Sequence, residues 1–188
     1  MISAEREIRI RRLESNDDRS GFRSGNIDLD RFFQRYAGLN QFRHHIGTTY
    51  VAIRASGITG FVTVSSSEMR VEELPKPLRD CLPVYPLPIL RVARLAVDER
   101  FQGHGIGRLL LRAMLGLALE MRDGVGCTSV VVDAKSGAAD FYSELGFKVI
   151  DLVGGALGDR PEPIAMLLPI RQIAAAANEG SEPAARRE

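Results

Sequence analysis

Hydrophobic and polar positions alternate with two periods along this chain, and the switches between them outline its elements. From Arg6 to Leu13 charged and apolar residues alternate, the pattern of a half-buried strand with Ile8 and Ile10 inward. After the Gly25-Asn26 turn the period lengthens. Leu29, Phe32, Phe33, Tyr36 and Leu39 recur at helical spacing behind Asp28, a residue type that caps helices. The polar, basic run Asn40 to His45 reads as a second short helix. Thr48 to Arg54 and Gly60 to Ser66 return to strand period as a hairpin on Ser56-Gly57, and Ser67 to Leu74 either extends its second strand or forms a separate edge. Residues 75 to 88 hold five prolines, which disfavour helix interiors and central strands, so a loop is predicted. A loop this long in a compact domain points to binding.

The second half is more regular. Ile89 to Val97 reads as a strand, and Arg108 to Met121 as a helix apolar around much of its circumference, ended by Gly124. Thr128 to Ala134 is β-branched and nearly continuous, the mark of a buried central strand. Ser136 is placed to cap a helix over Gly137 to Leu145, with Gly146 as its stop. Strands follow at Phe147 to Leu152 and Ile164 to Ile170. From Arg171 no burial pattern remains, so residues 171–188 are expected to form a flexible tail and residues 1–170 one domain. The order β-α-β-β-β-α-β-α-β-β predicts an α/β fold, a mixed sheet flanked by helices.

Composition narrows the class. A chain of 188 residues suits one domain, and 45% hydrophobic with 26% charged residues is ordinary for a soluble globular protein. No apolar run reaches the length of a membrane span, and the N-terminal residues lack an apolar signal region, so a cytoplasmic protein is expected. Cys81 and Cys127 sit in no metal or redox spacing, and His44, His45 and His104 lack ligand spacing; no metal is expected. A net charge of +1 gives no global argument for nucleic acid.

The chemistry concentrates where strand 89–97 passes into helix 108–121. After Asp98-Glu99-Arg100 comes Gln102-Gly103-His104-Gly105-Ile106-Gly107. Glycines let a backbone turn tightly and approach a ligand. Successive N–H groups in such a loop form a concavity for phosphate oxygens, and the next helix adds unpaired N–H groups and its positive dipole end. The loop lacks the Lys-Ser/Thr of a Walker motif and the G-x-G-x-x-G of a Rossmann turn. Its Q-x-x-G-x-G pattern, on Gln102, Gly105 and Gly107, resembles the pyrophosphate loop of the GCN5-related N-acetyltransferases (GNATs). Ala138 to Phe147 resembles that family's second signature, A-x-x-F-Y-x-x-x-G-F.

The resemblance implies a GNAT fold whose mixed central sheet splays between its fourth and fifth strands, residues 89–97 and 128–134, with acetyl-CoA as cosubstrate. It implies that the backbone of Leu95, Ala96 and Val97 holds the pantetheine arm and that Gln102, Gly103, His104, Gly105, Ile106, Gly107 and Arg108 hold the pyrophosphate. Tyr142 becomes the candidate general acid: amine attack on a thioester expels a thiolate of reference pKa about 8.5, against about 10 for a phenol. The alternative is that Tyr142 only packs beside Phe141. Lys135-Ser136 stands where many GNATs have an asparagine near the helix start. No carboxylate announces itself as a base; Glu68, Glu72 and Glu73 lie past the third strand, where some GNATs place one, but read better as a charged edge strand. An α-amine, pKa about 7.7–8.0, needs a base less than a lysine at about 10.4.

A narrower resemblance rests on Phe22-x-Ser24-Gly25-x-x-x-Leu29-Asp30-x-Phe32, Asn40-Gln41, Thr49-Tyr50-Val51 and Ala93 to Asp98 with the glycine loop. Over roughly residues 20–168 the chain is similar to the GNAT toxins of type II toxin–antitoxin modules. That implies acetylation of the α-amine of aminoacyl-tRNA, arrest of translation and a ribbon-helix-helix antitoxin, and it allows a homodimer. Arg35, Arg79, Arg91 and Arg94 are the candidates for tRNA phosphates, beside Arg31, Arg43, His44 and His45. Arg94 is the first choice for the acceptor end; the alternative is pairing with a nearby acid. Two other functions stay open: a GNAT acting on a small amine or a protein N-terminus, and a binding module that keeps a CoA ligand without catalysis.

Overall fold

A computed structural model describes residues 7–74, 76–79, 82–135, 137–150 and 163–179, the side chains at 73 and 78 excepted. The strands are β1 (Arg9–Arg12), β2 (Thr48–Arg54), β3 (Gly57–Met69), β4 (Leu87–Val97), β5 (Ser129–Ala134), β6 (Lys148–Val149) and β7 (Ile164–Pro169), in sheet order β1-β2-β3-β4-β5-β7-β6. The helices are α1 (Ile27–Arg31), α2 (Ala37–Leu39), α3 (Lys76–Arg79), α4 (Ile106–Gly124), α5 (Ala139–Ser143) and α6 (Ile170–Glu179). The chain divides into two compact units, one of residues 1–66 with 92–116 and one of 67–91 with 117–188.

In the first unit β1, β2 and β3 pair antiparallel, with an irregularity between Ala52 and Ile53. The end of β4 lies along the start of β3, where the Asp98 N–H donates to the Thr59 carbonyl at 2.9 Å. One helical run covers this sheet, and it is not a regular α-helix. Between and after α1 and α2 come two π-helical segments, Phe32–Tyr36 and Asn40–His44. A π turn closes i→i+5, so each shifts the buried face onward. Phe32, Phe33 and Ala37 are buried, whereas Tyr36 and Leu39, expected inward from a uniform 3.6 period, are 46% and 38% exposed. The N-cap is Asn26 rather than Asp28: its side chain accepts from the Leu29 N–H at 3.1 Å, while Asp28 pairs with Arg31 at 2.7 Å. The core is aromatic, with Phe33 stacked on Phe61 at 4.3 Å and Phe22 edge-on to both.

In the second unit β4 and β5 start side by side, Thr128 N–H to Pro88 carbonyl at 2.8 Å, and run parallel. Strand β7 returns antiparallel to β5 and is bordered by β6. Buried Met69, Leu87, Ile89, Val131, Ile150 and Leu167 form the core. Cys127 is a free, buried thiol whose pKa burial pushes up. The stretch from Arg171, expected to be tail, instead folds as α6 to Glu179 with Ile170 and Ile173 buried. An alanine-rich run has the highest intrinsic helix propensity, and two apolar side chains three apart give it one face to bury. Residues 180–188, Cys81 and the expected cap Ser136 lie outside the described residues.

Candidate active site

Asp98 organises the glycine loop. It ends β4 with 1% of its surface exposed. Its carboxylate accepts from the backbone N–H of Arg23 at 3.2 Å and of Arg100 at 3.1 Å, and from the Arg100 guanidinium at 2.8 and 3.1 Å. Burial alone would raise its pKa; the Arg100 side chain and the two N–H groups outweigh burial and hold it below the ordinary carboxylate value. The Glu99 N–H donates to the Arg23 carbonyl at 2.8 Å, so the 22–25 turn and the loop are fastened together. Gln102 adds the second fastening. Its side-chain amide donates to the carbonyls of Ser24 and Val97, each at 3.0 Å. Its side chain thus shapes the loop and leaves the backbone of residues 102–108 as the part that faces a ligand.

Gly103 and Gly105 have φ of +76° and +77°, a conformation that L side chains rarely adopt, and a Cβ built on either meets no atom within 4 Å. The loop therefore presents backbone to open space, the form of cradle a phosphate requires. Gly107 differs: it lies within α4 without a positive φ. The start of α4 is pinned by buried Ile106. A Cβ on Gly60 would meet Ala96 O, Ile106 Cγ2 and Leu110 Cδ1 at 3.1 Å each, so the helix packs directly on the β3 backbone. His104 and Arg108 are exposed, with His104 Nδ1 2.8 Å from the Gln102 carbonyl oxygen. Leu95 and Val97 are half-buried on β4 and Ala96 is buried between them.

Tyr142 belongs to the second unit. It sits in α5 with 7% exposure, its ring edge-on to Phe141 at 5.0 Å and Phe147 at 5.7 Å. The left-handed Gly146 (φ +90°) turns the chain so that the Phe147 N–H returns to the Tyr142 carbonyl at 3.1 Å. Among the described residues nothing hydrogen-bonds the hydroxyl. Burial pushes its pKa up to about 12. Glu68 and Glu72 are exposed.

The four arginine candidates stand differently. Arg91 is engaged by Asp133 at 2.6 Å across β4 and β5. Arg35 is exposed on the first π segment, and Arg79 is half-buried in α3. Arg94 has no acid partner among the described residues; its guanidinium carbon lies 3.9 Å above the centre of the Phe32 ring, and burial lowers its pKa from the ordinary value. Sequence reasoning missed Asp98 as the loop's anchor and Phe32 as the seat of Arg94. The Asp-x-Arg spacing ahead of the glycines was a usable signal for Asp98; the Phe32–Arg94 contact spans 62 positions and leaves none.

Residues 45–149 match the model of the acetyltransferase (GNAT) domain. The chain belongs to the GNAT acetyltransferase family. This GNAT chain is 30% identical over 140 residues, 74% of its length and 83% of the relative's, to the tRNA-acetylating toxin of Mycobacterium tuberculosis (strain ATCC 25618 / H37Rv). Among solved structures it is similar to AtaT complexed with acetyl-methionyl-tRNAfMet, with a TM-score of 0.78 at 23% identity, covering 91% of this chain and 99% of that one. It is also similar to a Tyr-to-Phe mutant of AtaT bound to the C-terminus of the antitoxin AtaR and acetyl-CoA, with a TM-score of 0.73 at 21% identity, covering 92% and 99%. These structures share the mixed α/β fold seen here. No helix among the described residues is long and apolar enough to cross a membrane.

Proposed function

We propose that this chain is a cytoplasmic toxin that transfers the acetyl group of acetyl-CoA to the α-amine of aminoacyl-tRNA, blocks translation, and is held in check by a ribbon-helix-helix antitoxin. The observation that carries the reading is the glycine loop: two left-handed glycines with open space before them, fastened on the N-terminal side by Asp98 and Gln102, in a chain 30% identical to a tRNA-acetylating toxin.

The backbone from Gln102 to Arg108 binds the diphosphate, with the N–H groups at the start of α4 and its dipole adding to the cradle. The main chain of Leu95, Ala96 and Val97 takes the pantetheine as an added strand. The cosubstrate supplies an activated acetyl thioester. The neutral α-amine attacks its carbonyl carbon and the N–C bond forms; as the C–S bond breaks, the Tyr142 hydroxyl gives its proton to the departing sulfur, and the proton shed by the acylated nitrogen passes to water, which reprotonates Tyr142. A phenol with a pKa of about 12 keeps that proton at neutral pH. The amine needs no carboxylate, because an α-amine is already partly neutral at pH 7, consistent with the exposure of Glu68 and Glu72. Arg94, with Arg35 and Arg79, contacts phosphates of the acceptor end.

Incubating the purified chain with labelled acetyl-CoA and bulk charged tRNA tests the reading. Label in N-acetyl-aminoacyl-tRNA is expected. Label found only on a small amine or a peptide N-terminus would replace the tRNA reading and keep the acetyltransferase.

A further inference from the structure

We infer that Phe32 is a positioning residue for tRNA: its ring fixes the plane of the Arg94 guanidinium so that Arg94 serves as a preset clamp for one backbone phosphate. The inference rests on the tRNA reading above and concerns one contact within it.

The geometry comes first. The Arg94 guanidinium carbon lies 3.9 Å over the centre of the Phe32 ring, the separation of a cation held against an aromatic face. A stacked guanidinium spends its face on the ring and keeps its N–H donors in plane, pointing outward. Those donors have no acceptor among the described residues, although Arg94 is exposed. Other arginines of the chain are different. Arg91, three residues earlier on β4, is held by Asp133 at 2.6 Å. Arg11, Arg100 and Arg122 are each held by an aspartate at 2.8 Å or closer. Arg94 is the arginine of β4 left with a planar donor set facing water.

The seat is rigid. Phe32 is 5% exposed and its ring lies 6.3 Å from Phe61 in the aromatic core. It is also the first residue of the π segment Phe32–Tyr36. Such bulges often mark functional sites, because they re-aim side chains that a regular helix would carry past. The surroundings favour an anion: from Arg31 to Ile46 the sequence contains Arg31, Arg35 and Arg43 and no acid. Arg35 is exposed on the same π segment. A planar, pre-oriented guanidinium suits a phosphate bidentately, which a flexible lysine does not reproduce.

The test is the salt dependence of kcat/KM for charged tRNA, in wild type, Arg94→Gln, Arg94→Lys, Phe32→Leu and Phe32→Tyr, with KM for acetyl-CoA measured in each. One phosphate contact contributes about 0.7–0.9 to the slope of log affinity against log salt. Arg94→Gln is expected to lose about that much slope and to raise KM for tRNA about tenfold. Arg94→Lys keeps the charge and the slope but raises KM about fivefold, having lost the plane. Phe32→Leu is expected to resemble Arg94→Lys, Phe32→Tyr to resemble wild type, and the double variant Phe32→Leu/Arg94→Gln to be no worse than Arg94→Gln. KM for acetyl-CoA stays within twofold throughout. An unchanged slope in Arg94→Gln overturns the clamp, and an Arg94→Lys enzyme equal to wild type overturns the seat even if Phe32→Leu fails to fold. A wild type that makes no acetyl-aminoacyl-tRNA removes the tRNA reading itself and this inference with it.

Discussion

Tyr142 and Asp98 are two buried ionisable groups driven in opposite directions, and each shift has a measurable consequence. The phenol is the acid form in the proposed transfer, and its pKa of about 12 leaves it protonated across the working range. Activity against aminoacyl-tRNA should therefore rise with pH as the α-amine, near 7.7–8.0, loses its proton, and then level off. A falling limb centred below about pH 10 would remove Tyr142 from the role. Tyr142→Phe should keep the ring contacts with Phe141 and Phe147, hold the melting temperature and lose on the order of 10²–10⁴ in turnover. Asp98 works through stability. Its pKa is lowered on folding, so its contribution is complete above the unfolded value near 3.9 and disappears as pH falls through the lower folded value. Asp98→Asn should cost about 1–3 kcal/mol at pH 7 in denaturant titration, the figure for a hydrogen bond to a charged group. The gap from wild type should narrow below about pH 4. The exposure of Arg100 keeps the ionic share small.

At the scale of elements, the loop's glycines separate into two kinds. Gly105→Ala forces a side chain into a φ of +77° and should cost about 1–2 kcal/mol of stability. Because the new Cβ points into open space, the larger effect belongs to acetyl-CoA, with a loss of at least about tenfold in calorimetric affinity, a little over 1.4 kcal/mol. Gly107→Ala, inside α4, carries no such strain. Gly60→Ala is the packing counterpart. Three atoms at 3.1 Å, one of them the Ala96 carbonyl oxygen, crowd a methyl, so about 1–3 kcal/mol of overpacking is expected as neighbouring atoms give by a few tenths of an ångström. The same scale shows what could be read from the residues alone. Strand β5 was legible because a run such as Val130-Val131-Val132 has few other solutions, and α4 because its stripe and glycine stop are local. The helical run after Asn26 was legible as helix but not as to its buried face. A π turn moves burial from Tyr36 to Ala37 without any change in composition, and the moves are decided by what Phe33 meets on Phe61, a residue of another element. Helix α6 was missed for the opposite reason: an alanine run gives little amphipathic signal, yet two isoleucines suffice to seat it.

For the whole molecule, a net charge of +1 is a poor guide to nucleic-acid binding, because the sum hides which charges are already spoken for. Arg11, Arg31, Arg91, Arg100 and Arg122 are each paired with an aspartate. That pairing withdraws Arg91 from the four candidates and leaves Arg35, Arg79 and Arg94. With these three as the proposed contacts, affinity for tRNA should rest on few phosphates. Each releases about 0.7–0.9 of a counterion, and three such contacts predict a slope of about −2 to −3 in log affinity against log salt. Filter binding of charged tRNA to the chain without acetyl-CoA measures it between about 50 and 200 mM salt, the interval over which such slopes are usually read. A slope steeper than about −6 would mean that phosphates are held by residues other than these three, and that the arginine pairs open when tRNA binds.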